Sequence, residues 1–190
     1  MRVITGSARG RRLKELEGME TRPTTDRVKE GLFSALQFEV EGRRALDLFA
    51  GTGQLGIEAL SRGAAGCVFV DRRADAVKLI RENLKITGLT DRARVVAGDS
   101  MEYLGALREK FDLIFLDPPY AAGLLEPALA NIARFDILAP HGIIAAEAPT
   151  EKTLPALEEP YRVSRIYRYG KIGLTIYRRA GDEENEESAI

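Results

Sequence analysis

The amino-acid sequence predicts an α/β fold, a doubly wound, mostly parallel sheet of seven strands that ends in an antiparallel hairpin. Strand-like and helix-periodic segments alternate between residues 45 and 146, which is typical of parallel strands joined by helical crossovers. Most strand-like segments are nearly continuous apolar runs, as expected of strands that are buried on both faces. The last two strand-like segments flank Gly-Lys-Ile-Gly at 170–173, which indicates a hairpin.

The N-terminal segment, residues 1–20, predicts a short β-like basic arm. It begins with a β-like stretch at 2–5 and continues at 6–12 into a glycine- and arginine-rich segment that we expect to be a flexible loop. Residues 24–26 (Thr-Thr-Asp) are N-cap candidates for a first helix, because apolar residues recur at helical spacing between 28 and 36.

The remaining elements alternate along the chain. Strands are predicted at residues 45–49, 67–70, 93–97, 111–116, 143–146, 161–169 and 174–178. Further helices are predicted at residues 54–62, 74–86, 101–108 and 124–133. Gly88 provides the stop for the second of these helices. We therefore expect one domain over residues 21–179, between the arm and an acidic, disordered tail at 180–190.

The composition limits the class of protein. The chain has 190 residues, of which 45% are hydrophobic and 30% charged, so it can bury a core and is typical of a soluble globular protein. No apolar stretch reaches membrane-spanning length, and the N-terminus lacks the apolar region of a signal peptide. A single cysteine, Cys67, excludes an internal disulfide, and one cysteine with one histidine argues against a structural zinc site. We expect a cytoplasmic protein that binds no membrane and no metal.

The net charge of −1 conceals two basic flanks. Residues 1–29 carry eight Lys or Arg against four Asp or Glu, a balance of +4. Residues 161–179 carry six basic residues and no acidic residue, a balance of +6. Basic flanks on both sides of one domain favour nucleic acid as the partner.

The sequence Asp117-Pro118-Pro119-Tyr120 directly follows the apolar run at 111–116. Each proline fixes its own φ angle and restricts the residue before it, so the turn at the end of this strand is nearly preset. The turn presents a carboxylate, a backbone carbonyl and an aromatic ring, which can hold a planar amine between two acceptors and a stacking surface. Asp117, Pro118 and Tyr120 are therefore the candidate catalytic residues.

Three further segments follow predicted strands, at the sheet edge where doubly wound folds bind ligands. The glycine-rich turn after the first strand allows close approach of a ligand at a helix N-terminus. An aspartate after the second strand suits the hydroxyls of a ribose, and an Asp-Ser pair after the third suits an adenine edge. Together these segments fit S-adenosylmethionine. The candidate cofactor-binding residues are Asp47, Phe49, Gly51, Gly53, Asp71, Arg72, Asp99 and Ser100.

Gly51, Gly53 and Gly56 also match the G-x-G-x-x-G pattern of dinucleotide-binding folds, with an acidic residue twenty positions beyond Gly51. This pattern leaves an NAD-dependent oxidoreductase open as an alternative. Against it, Asp47 suits an ammonium group better than a pyrophosphate. His141, the one histidine, lies in a predicted Pro-His-Gly turn and offers no acid–base pair for hydride transfer.

Five segments of the chain carry a resemblance to a known family. They are GRRL at 10–13, TRPTTDRVKE at 21–30, DLFAGTG at 47–53, LGIEALSRGA at 55–64 and DPPY at 117–120. Over residues 1–179 the chain resembles the bacterial 16S ribosomal RNA guanine-N2 methyltransferases that modify a loop in the head of the small subunit. The DPPY segment is common to amino-group methyltransferases, whereas the segment at 21–30 is more specific to the ribosomal RNA family.

The resemblance implies the Rossmann-like fold of class I methyltransferases, with S-adenosylmethionine as cofactor and the N2 amine of a guanine in 16S rRNA as acceptor. It also implies an assembled or nearly assembled small subunit as substrate, and we expect a monomer. Asp117 and the carbonyl of Pro118 would accept the two N–H groups of the amine, and Tyr120 would stack on the base. Arg22 has a second interpretation, contact with the carboxylate of the cofactor. The expected RNA-binding residues are Arg9, Arg11, Arg12, Lys14, Arg22 and Arg27.

Two further classes of protein stay open beside the oxidoreductase. A DNA adenine-N6 methyltransferase shares the DPPY segment, but such enzymes usually carry a target-recognition insertion, and the short connections here leave no room for one. A non-catalytic RNA-binding protein would explain the basic flanks and leave the Asp-Pro-Pro-Tyr corner without a role.

Overall fold

The computed structural model describes residues 1–16 and 26–179. The candidate RNA-binding residue Arg22, most of the predicted N-cap segment at 24–26 and the acidic tail at 180–190 lie outside the described residues. None of the helices in the described ranges is long and apolar enough to cross a membrane.

Within the described residues, five helices alternate with seven strands. The helices are α1 Asp26–Ala35, α2 Gln54–Ser61, α3 Ala74–Thr87, α4 Ser100–Ala106 and α5 Leu125–Arg134. The strands are β1 Arg44–Asp47, β2 Gly66–Asp71, β3 Ala93–Ala97, β4 Phe111–Leu116, β5 Leu138–Pro149, β6 Tyr161–Tyr169 and β7 Ile172–Arg179. Short 3₁₀ turns lie at Thr90–Arg92 and Tyr120–Ala122.

The seven described strands form one sheet in the order β3-β2-β1-β4-β5-β7-β6. Strands β1 to β5 pair in parallel, and β7 pairs antiparallel with both β5 and β6. The direction of winding reverses between β1 and β4, which is the switch point at which such sheets bind ligands. The predicted doubly wound sheet with an antiparallel C-terminal hairpin is confirmed.

The fifth strand differs from the prediction. β5 begins at Leu138, and the segment predicted as a Pro-His-Gly turn lies inside it, with His141 at a φ of 57°. Leu138 pairs with Phe111 and Ile143 pairs with Leu113. The β5 residues between Leu138 and Ile143 form a bulge-like irregularity, and β5 pairs with β4 before and after it. Pairing with β4 on both sides therefore overrides the local turn signal.

Apolar side chains pack on both faces of the sheet in two buried clusters. Consecutive residues of β1, Ala45 and Leu46, belong to different clusters, because side chains alternate across a strand. The first cluster includes Phe33 of α1 and Ile80 of α3. The second includes Leu129 of α5. Helices thus cover both faces and leave the carboxyl ends of the strands as the accessible edge.

The N-terminal arm is folded back on the first cluster, so the expectation of a flexible loop is wrong. Arg2 and Arg12 form an antiparallel bridge. Val3, Ala8 and Leu13 are 1%, 2% and 6% exposed and belong to the first cluster. Burial of these apolar residues holds the arm on the domain.

Polar groups of α2 receive the backbone of the arm. Glu58, which is fully buried, accepts hydrogen bonds from the amides of Ile4 at 2.8 Å and Thr5 at 3.0 Å. The hydroxyl of Ser61 accepts from the amide of Ala8 at 2.9 Å and donates to the carbonyl of Thr5 at 2.6 Å. Buried backbone groups of the arm are thereby paired, which fixes its position along α2.

Candidate active site

A cavity of about 660 Å³ opens at the carboxyl ends of β1 to β4. All three candidate catalytic residues, Asp117, Pro118 and Tyr120, line it. The candidate cofactor-binding residues that also line it are Asp47, Phe49, Gly51, Asp71, Arg72, Asp99 and Ser100. Its volume lies in the range of small-molecule sites, and its position is that expected at a switch point.

Gly53 is the candidate cofactor-binding residue that does not line the cavity. It caps α2 with a φ of 79°, in the left-handed region that favours glycine. A Cβ atom there would lie 3.3 Å from Cδ1 of Ile57 and 3.4 Å from Ile80. The structure therefore gives Gly53 the role of turning the chain into α2 above a packed surface.

Asp47 ends β1 with 2% of its surface exposed. Its Oδ2 accepts a hydrogen bond from the amide of Gly56 at 3.0 Å. Burial raises the pKa of this carboxyl to about 7, the charges of Asp117 and Asp71 add to the effect, and the Gly56 hydrogen bond opposes it. A buried carboxylate of this kind favours a cationic group as its neighbour.

Asp71, at the end of β2, supports the glycine turn that follows the neighbouring strand β1. Its Oδ2 accepts from the amide of Gly51 and its Oδ1 from the amide of Arg73, both at 2.9 Å. Each carboxylate oxygen has two lone pairs, so these bonds leave acceptor capacity for ligand hydroxyls. The position predicted for ribose recognition is thus also a structural support of the turn.

The segment after β3 divides its polar groups between the helix and the cavity. Oδ1 of Asp99 caps α4 by accepting from the amides of Met101 at 2.8 Å and Glu102 at 3.2 Å. The hydroxyl of Ser100 donates to the carbonyl of Leu48 at 2.7 Å. Ser100 therefore ties the end of β1 to α4, and toward a ligand its hydroxyl oxygen is left only as an acceptor.

The Asp-Pro-Pro-Tyr corner leaves the sheet where β4 ends. Pro118 is buried, Pro119 is exposed, and Tyr120 begins a 3₁₀ turn. The hydroxyl of Tyr120 donates a hydrogen bond of 3.1 Å to Oε1 of Glu147. This bond orients the aromatic ring at the wall of the cavity.

Four cavity-lining polar residues were not among the predicted site residues: Thr52, Gln54, Arg73 and Glu147. Glu147 follows the strand predicted at 143–146 just as Asp117 follows the one predicted at 111–116, so extending the strand-end rule by one strand would have found it, although β5 itself continues to Pro149. Gln54 is the first residue of α2, and its Oε1 is buried with no hydrogen-bond partner among the described residues. A buried acceptor of this kind fits a ligand that carries N–H or O–H groups.

The candidate RNA-binding residues of the arm lie on its outer surface. Arg9, Arg11 and Arg12 are exposed, and so is Lys14, whose Nζ forms an ion pair with Glu82 at 2.9 Å. The arm borders the cavity, because Met1 and Leu16 line it. Arg27 is exposed on α1. Burial raises the pKa of Tyr169 in β6, and the nearby positive charge of Arg27 partly offsets this increase. Arg27 of α1 therefore lies near β6 of the C-terminal hairpin.

No group of three His, Cys, Asp or Glu side chains placed to hold a metal ion is found within residues 1–16 and 26–179.

Residues 1–178 match the model of a family described as Conserved hypothetical protein 95. The chain belongs to this family. Ribosomal RNA small subunit methyltransferase D of Escherichia coli (strain K12) is 36% identical over 187 residues, which cover 98% of this chain and 93% of the relative. YlbH of Bacillus subtilis (strain 168) is 44% identical over 184 residues, 95% of this chain and 100% of the relative.

The fold of the family is known from solved structures. That of yhhF from Escherichia coli superimposes with a TM-score of 0.84 at 34% identity and covers 95% of this chain and 98% of its own. The predicted Rossmann-like class I methyltransferase fold and the predicted family are confirmed.

Proposed function

We propose that this chain transfers a methyl group from S-adenosylmethionine to the exocyclic N2 amine of a guanine in 16S rRNA. The observation that carries the proposal is the Asp-Pro-Pro-Tyr corner at 117–120, in the wall of a cavity that also holds Asp47, Asp71 and Asp99. The relative in Escherichia coli, named Ribosomal RNA small subunit methyltransferase D, supports the choice of RNA.

The acceptor groups of the cavity suit the cofactor. S-adenosylmethionine, when bound, supplies an electrophilic sulfonium methyl group. Asp47 and the buried Oε1 of Gln54 offer acceptors for its ammonium group, beside the glycine turn. Asp71 would offer acceptors for the ribose hydroxyls, and Asp99, which also lines the cavity, is the proposed neighbour of the adenine.

The corner would hold the acceptor amine. The lone pair of the guanine N2 is delocalised into the ring, so the amine is a weak nucleophile. Asp117 and the carbonyl of Pro118 accept its two N–H bonds, which turns the lone pair towards the methyl group. The nitrogen–carbon bond would form as the carbon–sulfur bond breaks, and the amine would then release a proton to the Asp117 carboxylate or to solvent. Positioning and electrostatic support of the developing cation supply the rate acceleration.

Tyr120 would stack on the guanine once the base is extruded from its RNA context, as enzymes that modify a base require. The hydrogen bond from its hydroxyl to Glu147 limits the orientations of the ring before the substrate arrives. Removal of the ring in Tyr120→Ala should weaken substrate engagement by about 1–3 kcal/mol, the usual value of base–aromatic stacking.

RNA docking would use the exposed arm beside the cavity. Arg9, Arg11, Arg12 and Lys14 supply positive charge for phosphates from the arm, and Arg27 does so from α1. Arg22 would either contact a further RNA phosphate or contact the carboxylate of the cofactor. The proposed substrate is an assembled or nearly assembled small subunit, on which the protein acts as a monomer in the cytoplasm.

The test is methyl transfer from labelled S-adenosylmethionine to small ribosomal subunits from cells that lack this protein, followed by digestion to nucleosides. Label in N2-methylguanosine is the expected result. Label in N6-methyladenosine would show that adenine, and not guanine, is the acceptor. Absence of label on subunits, naked 16S rRNA and DNA, with a melting temperature that NAD raises and S-adenosylmethionine does not, would favour the oxidoreductase.

A further inference from the structure

Glu147 is a buried acid near the Asp-Pro-Pro-Tyr corner of the cavity. It is 5% exposed and lines the same cavity as Asp117 and Tyr120. Leu116 pairs with Ala146 in the parallel β4–β5 register, and the residues that follow them are Asp117, directly after β4, and Glu147, within β5. Burial of a carboxylate is costly, and an acid retained in a ligand cavity is a candidate for a functional role.

The edge of guanine that carries the acceptor amine also carries a group that a second carboxylate could recognise. Guanine presents two N–H groups from N2 and a third from the adjacent N1, whereas adenine presents its amine beside an N1 lone pair. Asp117 and the carbonyl of Pro118 would use the two N–H groups of N2. The N1–H of guanine still requires an acceptor, because a buried donor left unpaired costs free energy.

We propose that Glu147 is the specificity-determining residue that accepts the N1–H of the acceptor guanine while Asp117 holds the N2 amine. The proposal rests on the function proposed above. The bond from Tyr120 does not exhaust Glu147, since a carboxylate has about four lone-pair sites. An adenine in the same place would direct the lone pair of its N1 at the carboxylate, so repulsion excludes it.

A purely structural role makes a different prediction. If Glu147 only held the ring of Tyr120, its replacement would slow transfer to every acceptor base to the same degree. A residue that recognises N1–H must instead alter the preference between bases that differ at N1. The ratio of two transfer rates separates these roles, because weaker folding or weaker RNA binding cancels in it.

The experiment compares guanine with 2-aminopurine at the methylated position, in small subunits reconstituted with the two 16S rRNAs. 2-Aminopurine keeps the N2 amine but carries a lone pair at N1. Wild type should prefer guanine by about 100-fold or more, as sites built around a hydrogen bond reject analogues that lack it. In Glu147→Gln the amide can present its carbonyl to guanine or its N–H to 2-aminopurine, so the preference should fall to within about tenfold.

Tyr120→Phe is the matched control, because it removes the hydroxyl bonded to Glu147 and leaves the carboxylate in place. It should slow both reactions and keep the wild-type preference. An unchanged preference for guanine in Glu147→Gln would overturn the inference. A preference below about tenfold in the wild type would also overturn it, and that measurement requires no variant. Wild type that methylates neither base would instead overturn the proposed function.

Discussion

The amide of Gly56, in the first turn of α2, donates a hydrogen bond of 3.0 Å to Oδ2 of Asp47, the last residue of β1. A Cβ atom on Gly56 would lie 2.3 Å from Cε1 of Phe69 and 2.7 Å from Sγ of Cys67. Only glycine therefore lets α2 pack this closely on β2. The same close packing buries Asp47, and burial is the main cause of its pKa of about 7.

The affinity for S-adenosylmethionine should rise with pH through about 7. The ammonium group of the cofactor pairs with the ionised form of Asp47, and burial keeps this carboxyl protonated below its pKa of about 7. Calorimetric titrations from about pH 5 to about pH 8 should show Kd increasing by about tenfold for each pH unit below the pKa. An equal Kd at both ends of this range would show that Asp47 does not pair with the cofactor.

The variant Asp47→Asn should be more stable than wild type above pH 7. The folded pKa of about 7 exceeds the ordinary value of 3.8, so the stabilisation that proton binding gives is complete below 3.8 and is lost as the pH rises to about 7. Asparagine keeps an acceptor for the Gly56 amide and carries no charge.

Thermal unfolding of both proteins at about pH 5 and about pH 8 measures this effect. The advantage of Asp47→Asn should be on the order of a few kcal/mol at the higher pH and smaller at the lower one. The same variant should bind S-adenosylmethionine more weakly at the higher pH. A variant less stable than wild type at about pH 8 would contradict the assignment of the pKa.

Replacement of Asp117 should separate transfer from cofactor binding. Asp117→Ala removes one of the two acceptors proposed for the amine, and single-turnover transfer should fall by at least about 10²–10³-fold. The acceptors proposed for the cofactor are unchanged, so S-adenosylmethionine should raise the melting temperature of the variant almost as much as that of wild type. A variant that still transfers methyl groups at the wild-type rate would rule out the proposed role of the corner.

Two glycines of the arm provide a matched test of its docking. Gly6 and Gly10 have φ angles of 86° and 80°, so alanine is strained by a similar amount at both. A Cβ atom at Gly6 would lie 1.8 Å from the carbonyl oxygen of Ser61, whereas at Gly10 nothing lies within 4 Å.

Urea unfolding should therefore show a loss of about 1–2 kcal/mol in Gly10→Ala, the cost of the left-handed conformation, and a clearly larger loss in Gly6→Ala. Equal losses would mean that the arm does not lie against α2.

The exposed arginines of the arm should determine the salt dependence of subunit binding. Combined replacement of Arg9, Arg11 and Arg12 by alanine should lower the slope of log K against log salt by about 2–3, if each contacts one phosphate. Arg108→Ala is a suitable control, because Arg108 is also exposed but follows α4 and is not part of the arm. An unchanged slope in the triple variant would place the RNA elsewhere.

The positions of most elements could be predicted from the sequence, because strands buried on both faces and amphipathic helices leave local patterns. β5 is the exception, since its first residues carry turn signals and pair with β4 only through a long-range contact. The arm is a second exception. Its charged residues indicated a flexible loop exposed to solvent, but Glu58 and Ser61 of α2 accept hydrogen bonds from its backbone and hold it in place.

By itself the sequence determined the fold class and the strand-end residues from Asp47 to Asp117, because chain order and the parallel sheet place all strand ends at one edge. The tertiary structure alone decided what each polar group does there. Glu147 faces Tyr120, Gly53 supports a turn and Asp47 is buried enough for its pKa to rise. These properties depend on packing between segments distant in sequence, and no local pattern records such packing.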